Sequence, residues 1–419
     1  MKIYMFLLLL LFSCKEPNIF TEVDYVISET HYETVDVCRA IDISGDILVA
    51  AASSNGYMRY NIIDNDNGNG NVSLELVTHI PDIDDQVGDD AAYNVLISDN
   101  FKDMAFVLDD VDNIFLEDLD NGELGDLGNC GNSLLYRDMA LNDDIQDTTI
   151  LFTLQKHFDV LPDGFDFYST SVGARDFYNT EDPFGEILLE EAGCNAIINP
   201  DIEAMKIFYS DNILTVADGG LGVQIYKYDR YISEPYIDTN GNGVYDSDYC
   251  NLLPELYENQ DSCEGAGHLW IQGEVFEDTV IEDGAYTALK DVLEYKADFY
   301  IQGGGAASLF SIENIVVGGF DNDRGCYMAL LDSDGSIMSN LTFADGYSIN
   351  AIDYDNEFLA LAAGNDGVLV YQWDGTLNVN LLTNIDSGDD NYVYDVNVEG
   401  NNIYTASENG KSIYKIEGE

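Results

Sequence analysis

One short pattern recurs through this chain, and its recurrence limits the fold more than any other feature. Asn212-Ile-Leu-Thr-Val-Ala-Asp-Gly-Gly-Leu-Gly-Val-Gln-Ile-Tyr-Lys-Tyr228 reads as a strand, a glycine turn and a second strand. β-Branched and aromatic residues fill both arms. Phe358 to Tyr371, Asn402 to Tyr414 and Ile47 to Tyr60 repeat the pattern closely, and Met104 to Leu116, Thr149 to Phe158 and Asn314 to Leu331 repeat it more loosely. Recurrence at a fixed period marks a stack of identical supersecondary units rather than one irregular sheet.

Each hairpin follows another short strand that opens with a polar residue and then an apolar one. The pairs begin at Arg39, Asn94, Asp138, Asn195, Ser308, Asn350 and Asp395. Successive openings are separated by 55, 44, 57, 113, 42 and 45 residues. A four-stranded propeller blade needs roughly 40 to 50 residues, so the long gap holds one blade and an insertion, placed at about 233–297. A lone four-stranded sheet cannot bury both faces, and radial stacking resolves that. The expected fold is all-β, a β-propeller of seven blades over 23–419. An eighth blade is the nearest rival, if 269–300 conceal a degenerate repeat. The chain ends on what reads as the third strand of the last blade, Ser412 to Ile416. Val23 to Ser28 is expected to supply the missing outer strand and leave no open edge at the seam.

The segments Leu214 to Tyr226 and Leu359 to Tyr371 resemble the repeats of bacterial LVIVD-type β-propeller proteins. The resemblance covers roughly residues 23 to 417. It implies an exported, usually non-catalytic surface propeller and carries over no defined active-site residue. The long insertion and the poor third and fifth repeats depart from it.

The N-terminus sets the compartment. Lys2 precedes an apolar run, Phe6 to Phe12, that is too short to span a bilayer but suits the core of a signal peptide. Leu11-Phe12-Ser13-Cys14 looks like a bacterial lipobox, with Cys14 as the lipidated residue. The expected organisation is a signal peptide over 1–13 and a lipid-anchored tether over 14–22. Lys15 follows the cysteine in place of an inner-membrane retention Asp, which points to the outer membrane or cell surface. The chain has 79 acidic and 16 basic residues, a net charge of −63. Such a field repels nucleic acid and attracts cations. A hydrophobic content of 46% and 28 tyrosines exclude a disordered acidic chain.

Outside the cytoplasm, the six cysteines remaining after Cys14 suggest disulfides. Only Cys250 and Cys263 are close enough in sequence to propose as a pair. Cys38, Cys130, Cys194 and Cys326 permit several connectivities, isolated buried thiols included. Beside Cys250 lies Asp238-Thr-Asn-Gly-Asn-Gly-Val-Tyr-Asp246. Asp238, Asn240 and Asn242 at alternate positions, then the Val244 carbonyl and Asp246, reproduce the front half of a calcium loop, with Asp248 available to close it. Tyr249 stands where an EF-hand has its bidentate glutamate, so the loop is closer to those of extracellular modules. The competing reading is a solvated Asn-Gly turn. A structural calcium ion and a disulfide suit an excursion without its own core.

The polar openings Arg39, Asn94, Asp138, Asn195, Ser308, Asn350 and Asp395 are expected to ring one mouth of the central channel, where propellers bind ligands. Their competing use is to satisfy strand ends. The four histidines are scattered, and no GxSxG, HExxH or phosphate-binding glycine loop is present. The expected function is therefore a non-catalytic, calcium-stabilised binding or scaffolding module on the cell surface, with a protein or glycan partner at the propeller face. The alternative is a lactonase-like, calcium-dependent hydrolase whose ligands come from Asn94, Asp138, Asn195, Asn350 and Asp395.

Overall fold

The computed structural model describes residues 25–33, 37–65, 72–81, 91–100, 104–109, 113–118, 123–127, 134–143, 148–160, 166–178, 180–181, 187–188, 195–198, 204–219, 222–233, 249–250, 270–271, 288–388 and 391–418. These residues form seven four-stranded antiparallel sheets and two small two-stranded ones. The inner strands of successive sheets touch in sequence, and the first touches the last. The fold is a seven-bladed β-propeller.

Blade 1 runs through Ala40–Ser44, Ile47–Ala51, Tyr57–Asp64 and Val72–Ile80, and blade 2 through Ala92–Ile97, Ala105–Asp109, Ile114–Asp118 and Glu123–Asp126. Blade 3 comprises Leu134–Asn142, Thr148–Val160, Asp166–Tyr178 and Asn195–Ile198; blade 4 comprises Ala204–Ser210, Ile213–Asp218, Gly222–Ser233 and Ala288–Phe299. Blade 5 is built from Ala306–Ile312, Ile315–Phe320, Gly325–Leu331 and Ile337–Phe343, and blade 6 from Ala351–Asp355, Phe358–Ala362, Val368–Trp373 and Val379–Ile385. Blade 7 takes Val393–Glu399, Asn402–Ser407 and Gly410–Gly418 from the end of the chain, and its outer strand, Tyr25–Glu33, from the beginning.

That last pairing closes the ring. Tyr25 lies opposite Gly418, and the register runs unbroken to Glu33 opposite Gly410. His31 Nδ1 and Ser412 Oγ stand 2.9 Å apart, and Ser412 Oγ donates to Glu29 Oε1 at 3.1 Å. The described residues of 269–300 form no eighth blade: Ala288–Phe299 is the outer strand of blade 4, and Trp270–Ile271 pairs with Tyr249–Cys250.

The core is seven wedges rather than one centre. One buried cluster fills each interface between neighbouring blades, as with Val49, Val95 and Val107 between blades 1 and 2, or Leu48, Tyr404 and Ile413 between blades 7 and 1. A second strand with a blade on either side has no solvent face. Ile47–Ala51, Ala105–Asp109, Ile315–Phe320, Phe358–Ala362 and Asn402–Ser407 are accordingly buried at every position. Outer strands such as Val72–Ile80 and Ile337–Phe343 are largely exposed or half-buried. This gradient is why the second strands read as unbroken runs of Val, Leu, Ile and Ala.

The turn glycine of the repeat has a shared physical cause. Gly56, Gly222, Gly325 and Gly367 have positive φ of 73°, 90°, 69° and 81°. A Cβ at any of them would collide with a carbonyl oxygen of the outer strand or the residue just after it, as at Ile80, Phe299, Ala344 and Ile385. Only glycine meets both demands.

The signal peptide, the tether, Cys14 and the calcium-loop residues Asp238, Asn240, Asn242, Val244, Asp246 and Asp248 lie outside the described residues. So do Cys130, Cys194 and Cys263. The backbone of Tyr249–Cys250 pairs with Trp270–Ile271 across the insertion. Cys38 and Cys326 are buried free thiols.

Candidate functional site

A register shift at the start of the inner strands builds the channel mouth. In blades 2, 3, 4, 5 and 7 it falls between Ala92 and Asn94, Tyr136 and Asp138, Ala204 and Lys206, Ala306 and Ser308, and Val393 and Asp395. Each bulge adds one residue to the strand and re-aims the side chains around it. Arg39 and Asn350 hold the equivalent place in blades 1 and 6, donating their backbone N–H groups to the carbonyls of Ala51 and Ala362 at 2.8 and 2.9 Å.

Two layers follow from this alignment. The lip is Arg39, Tyr93, Arg137, Met205, Ala307, Asn350 and Tyr394; the next layer is Ala40, Asn94, Asp138, Lys206, Ser308, Ala351 and Asp395. All of them line one cavity of about 760 Å³ that reaches down to Asp42, Asp353 and Asn397. Of the openings read from sequence, Arg39 and Asn350 belong to the lip, while Asn94, Asp138, Ser308 and Asp395 belong to the layer beneath.

Asn195 belongs to neither, which corrects the expectation that it lines the mouth. It begins the outer strand of blade 3 and lies opposite Ala174. Its Asn-Ala opening imitates an inner strand because any short strand emerging from a loop tends to begin on a polar residue. The inner strand of blade 4 is Ala204–Ser210, and Lys206 takes the place assigned to Asn195. Lys206 and the lip residues Tyr93, Arg137 and Tyr394 escaped the sequence reading. The signal for Lys206 was its two-residue offset from Ala204, shared with Ala92 and Asn94 and with Ala306 and Ser308.

The carboxylates below the lip tie the blades together. Asp395 Oδ2 accepts the Ile41 N–H of blade 1 at 3.0 Å, and Asp42 Oδ2 accepts the Ile97 N–H of blade 2 at 2.8 Å. Asp138 Oδ2 accepts the Ile207 N–H of blade 4 at 2.8 Å, and Asp353 Oδ2 accepts the Val398 N–H of blade 7 at 2.6 Å. Their other oxygens are also engaged. Asp42 Oδ1 accepts from Ile43 N–H at 3.0 Å, Asp395 Oδ1 from Val396 N–H at 2.9 Å, and Asp138 Oδ1 from Asn94 Nδ2 at 2.8 Å. Lys206 Nζ stands 3.3 Å from Asp138 Oδ1.

Burial dominates the titration of these acids. It pushes Asp42 up to about 8 against the pull of its N–H donors, with the charges of Asp353 and Asp395 adding to the rise. Asp353 is raised to about 7 and Asp395 to about 6, again by burial first. Burial also raises Asp138, opposed by the Lys206 ammonium. Near neutral pH Asp42 is therefore the acid held closest to its neutral form, whereas Asp395 stays mostly ionised.

The basic groups at the lip are differently placed. Arg39 lies over the Tyr394 ring, 4.5 Å from its centroid, and Tyr392 donates its hydroxyl to Asn350 Oδ1 at 3.0 Å. Among the described residues, neither Arg39 nor Arg137 pairs with a carboxylate. No group of three or more His, Cys, Asp or Glu side chains among the described residues is arranged to hold a metal ion.

No family model matches this chain. No curated protein sequence matches it either. Among solved structures, the computationally designed Ika8 protein is similar at a TM-score of 0.48 and 10% identity, over 92% of this chain and 98% of that one. At that level the assignment of the fold rests on the seven sheets and their closed ring.

Proposed function

We propose that this protein is a non-catalytic, lipid-anchored surface module that binds a protein or glycan at the lip of its propeller channel, stabilised by calcium in the insertion. The observation that carries the reading is the commitment of the channel acids. Asp42, Asp138, Asp353 and Asp395 each accept a backbone N–H from a neighbouring blade. A carboxylate whose oxygens are engaged in holding the ring together is poorly placed to grip a catalytic cation or to accept a substrate proton. The lip above them is open, polar and aromatic, the composition of a recognition surface. Export and anchoring rest on the Phe6 to Phe12 run and on Cys14, and the calcium site on Asp238, Asn240, Asn242, the Val244 carbonyl, Asp246 and Asp248.

Ala307→Trp tests the reading. Ala307 is a half-buried lip residue with no polar group to lose, so an indole there plugs the mouth and leaves the inter-blade hydrogen bonds in place. On a panel of surface glycans and proteins, wild type should retain a ligand without turning it over, and the plugged variant should lose it. Calcium-dependent hydrolysis of a lactone by wild type, abolished by Asp353→Asn, would establish the hydrolase instead.

A further inference from the structure

We infer that the ligand of this mouth carries a single carboxylate, held by the guanidinium groups of Arg39 and Arg137. The inference rests on the binding reading above and adds the chemistry of the ligand.

In this chain of 79 acidic and 16 basic residues, Arg39, Arg137, Arg324 and Lys411 have no carboxylate partner among the described residues, and of these Arg39 and Arg137 alone line the channel cavity. Arg59 reaches Glu117 at 3.6 Å, Lys206 reaches Asp138 at 3.3 Å, and Lys296 reaches Glu294 at 2.8 Å. Arg39 and Arg137 are half-buried at the lip, occupy equivalent positions in blades 1 and 3, and pair with no carboxylate among the described residues. The carboxylates of Asp395, Asp42 and Asp353 below them already accept backbone N–H groups, and burial raises the pKa of each. The lip thus presents two guanidinium groups above channel carboxylates that are already engaged.

Guanidinium groups match a carboxylate through paired, charge-assisted hydrogen bonds. The half-exposed Tyr93 ring and the Tyr394 ring beneath Arg39 offer flat surfaces for the body of the ligand. The −63 charge limits how anionic that body can be. A polyanion would meet repulsion over its whole length, whereas a single carboxylate is largely screened from acidic groups farther than about one Debye length, roughly 8 Å. A uronic-acid sugar and the carboxyl terminus of a peptide both supply this chemistry.

Calorimetric titration of the purified protein with glucuronate and N-acetylglycine distinguishes the two sources, with glucose and N-acetylglycinamide as neutral matches. At least one carboxylate should bind, and its neutral match should bind at least about tenfold more weakly. Arg39→Gln and Arg137→Gln should each weaken binding by a similar factor at unchanged melting temperature, and Arg137→Lys should recover part of the loss. Glucuronate alone identifies a sugar, and N-acetylglycine alone a peptide terminus. No carboxylate bound at about 10 mM, or undiminished binding in both glutamine variants, would overturn the inference. If glucose binds as well as glucuronate and Ala307→Trp abolishes both, the carboxylate assignment fails while the binding reading stands.

Discussion

Asp42 shows how one residue can serve the architecture and burden it. Its carboxyl bridges blades 1 and 2 through Ile97, yet burial lifts its titration to about 8. In an unfolded chain it would ionise near 4. Stability from the protonated form is therefore complete below about pH 4 and declines as pH rises through 8, since the unfolded state releases a proton that the folded state retains. Asp42→Asn removes the titration but turns an amide NH2, which cannot accept, toward the Ile97 or Ile43 N–H. The variant should therefore melt lower than wild type at pH 5 and lose less of its melting temperature between pH 5 and pH 8, which thermal melts across that range check. A variant whose melting temperature falls between pH 5 and pH 8 as steeply as wild type's would show that Asp42 is not the group that titrates.

At the scale of elements, the N-terminal strand decides whether the ring is closed. Tyr25–Glu33 covers the whole free edge of Gly410–Gly418. Deleting 25–33 should lower the melting temperature by at least about 5 °C and promote edge-to-edge association, read by light scattering. An unchanged melt would argue against closure. Sequence reading reached this strand because the last repeat visibly lacks a partner, and it reached the blades because buried second strands and turn glycines leave strong marks. The channel was harder to read. A bulge shifts the polar openings by one residue between blades, so Arg39 and Asn350 looked equivalent to Asn94 and Asp395 when they stand one layer above them. Blade 4 was misread because its inner strand carries Lys206 where a small polar residue was expected, while Asn195 on an outer strand fitted the pattern. Tyr93 and Arg137 gave no periodic signal at all, because the lip position varies from blade to blade.

On the scale of the whole molecule, the proposed anchor and the channel make separate predictions. If Cys14 bears the anchor, Cys14→Ser should move the protein from the membrane to the soluble fraction while leaving the propeller folded, as fractionation and circular dichroism would show. The central claim is that the channel acids are structural and that recognition occurs above them. An anomalous-scattering map of calcium-soaked crystals tests this most directly, because it locates every bound ion without assuming a function. The account predicts an ion at the loop of Asp238, Asn240, Asn242 and Asp246, and no ion among Asp42, Asp353 and Asp395. A calcium peak in the channel, with those carboxylates turned away from the Ile97, Val398 and Ile41 N–H groups to ligate it, would contradict the account and point to the hydrolase.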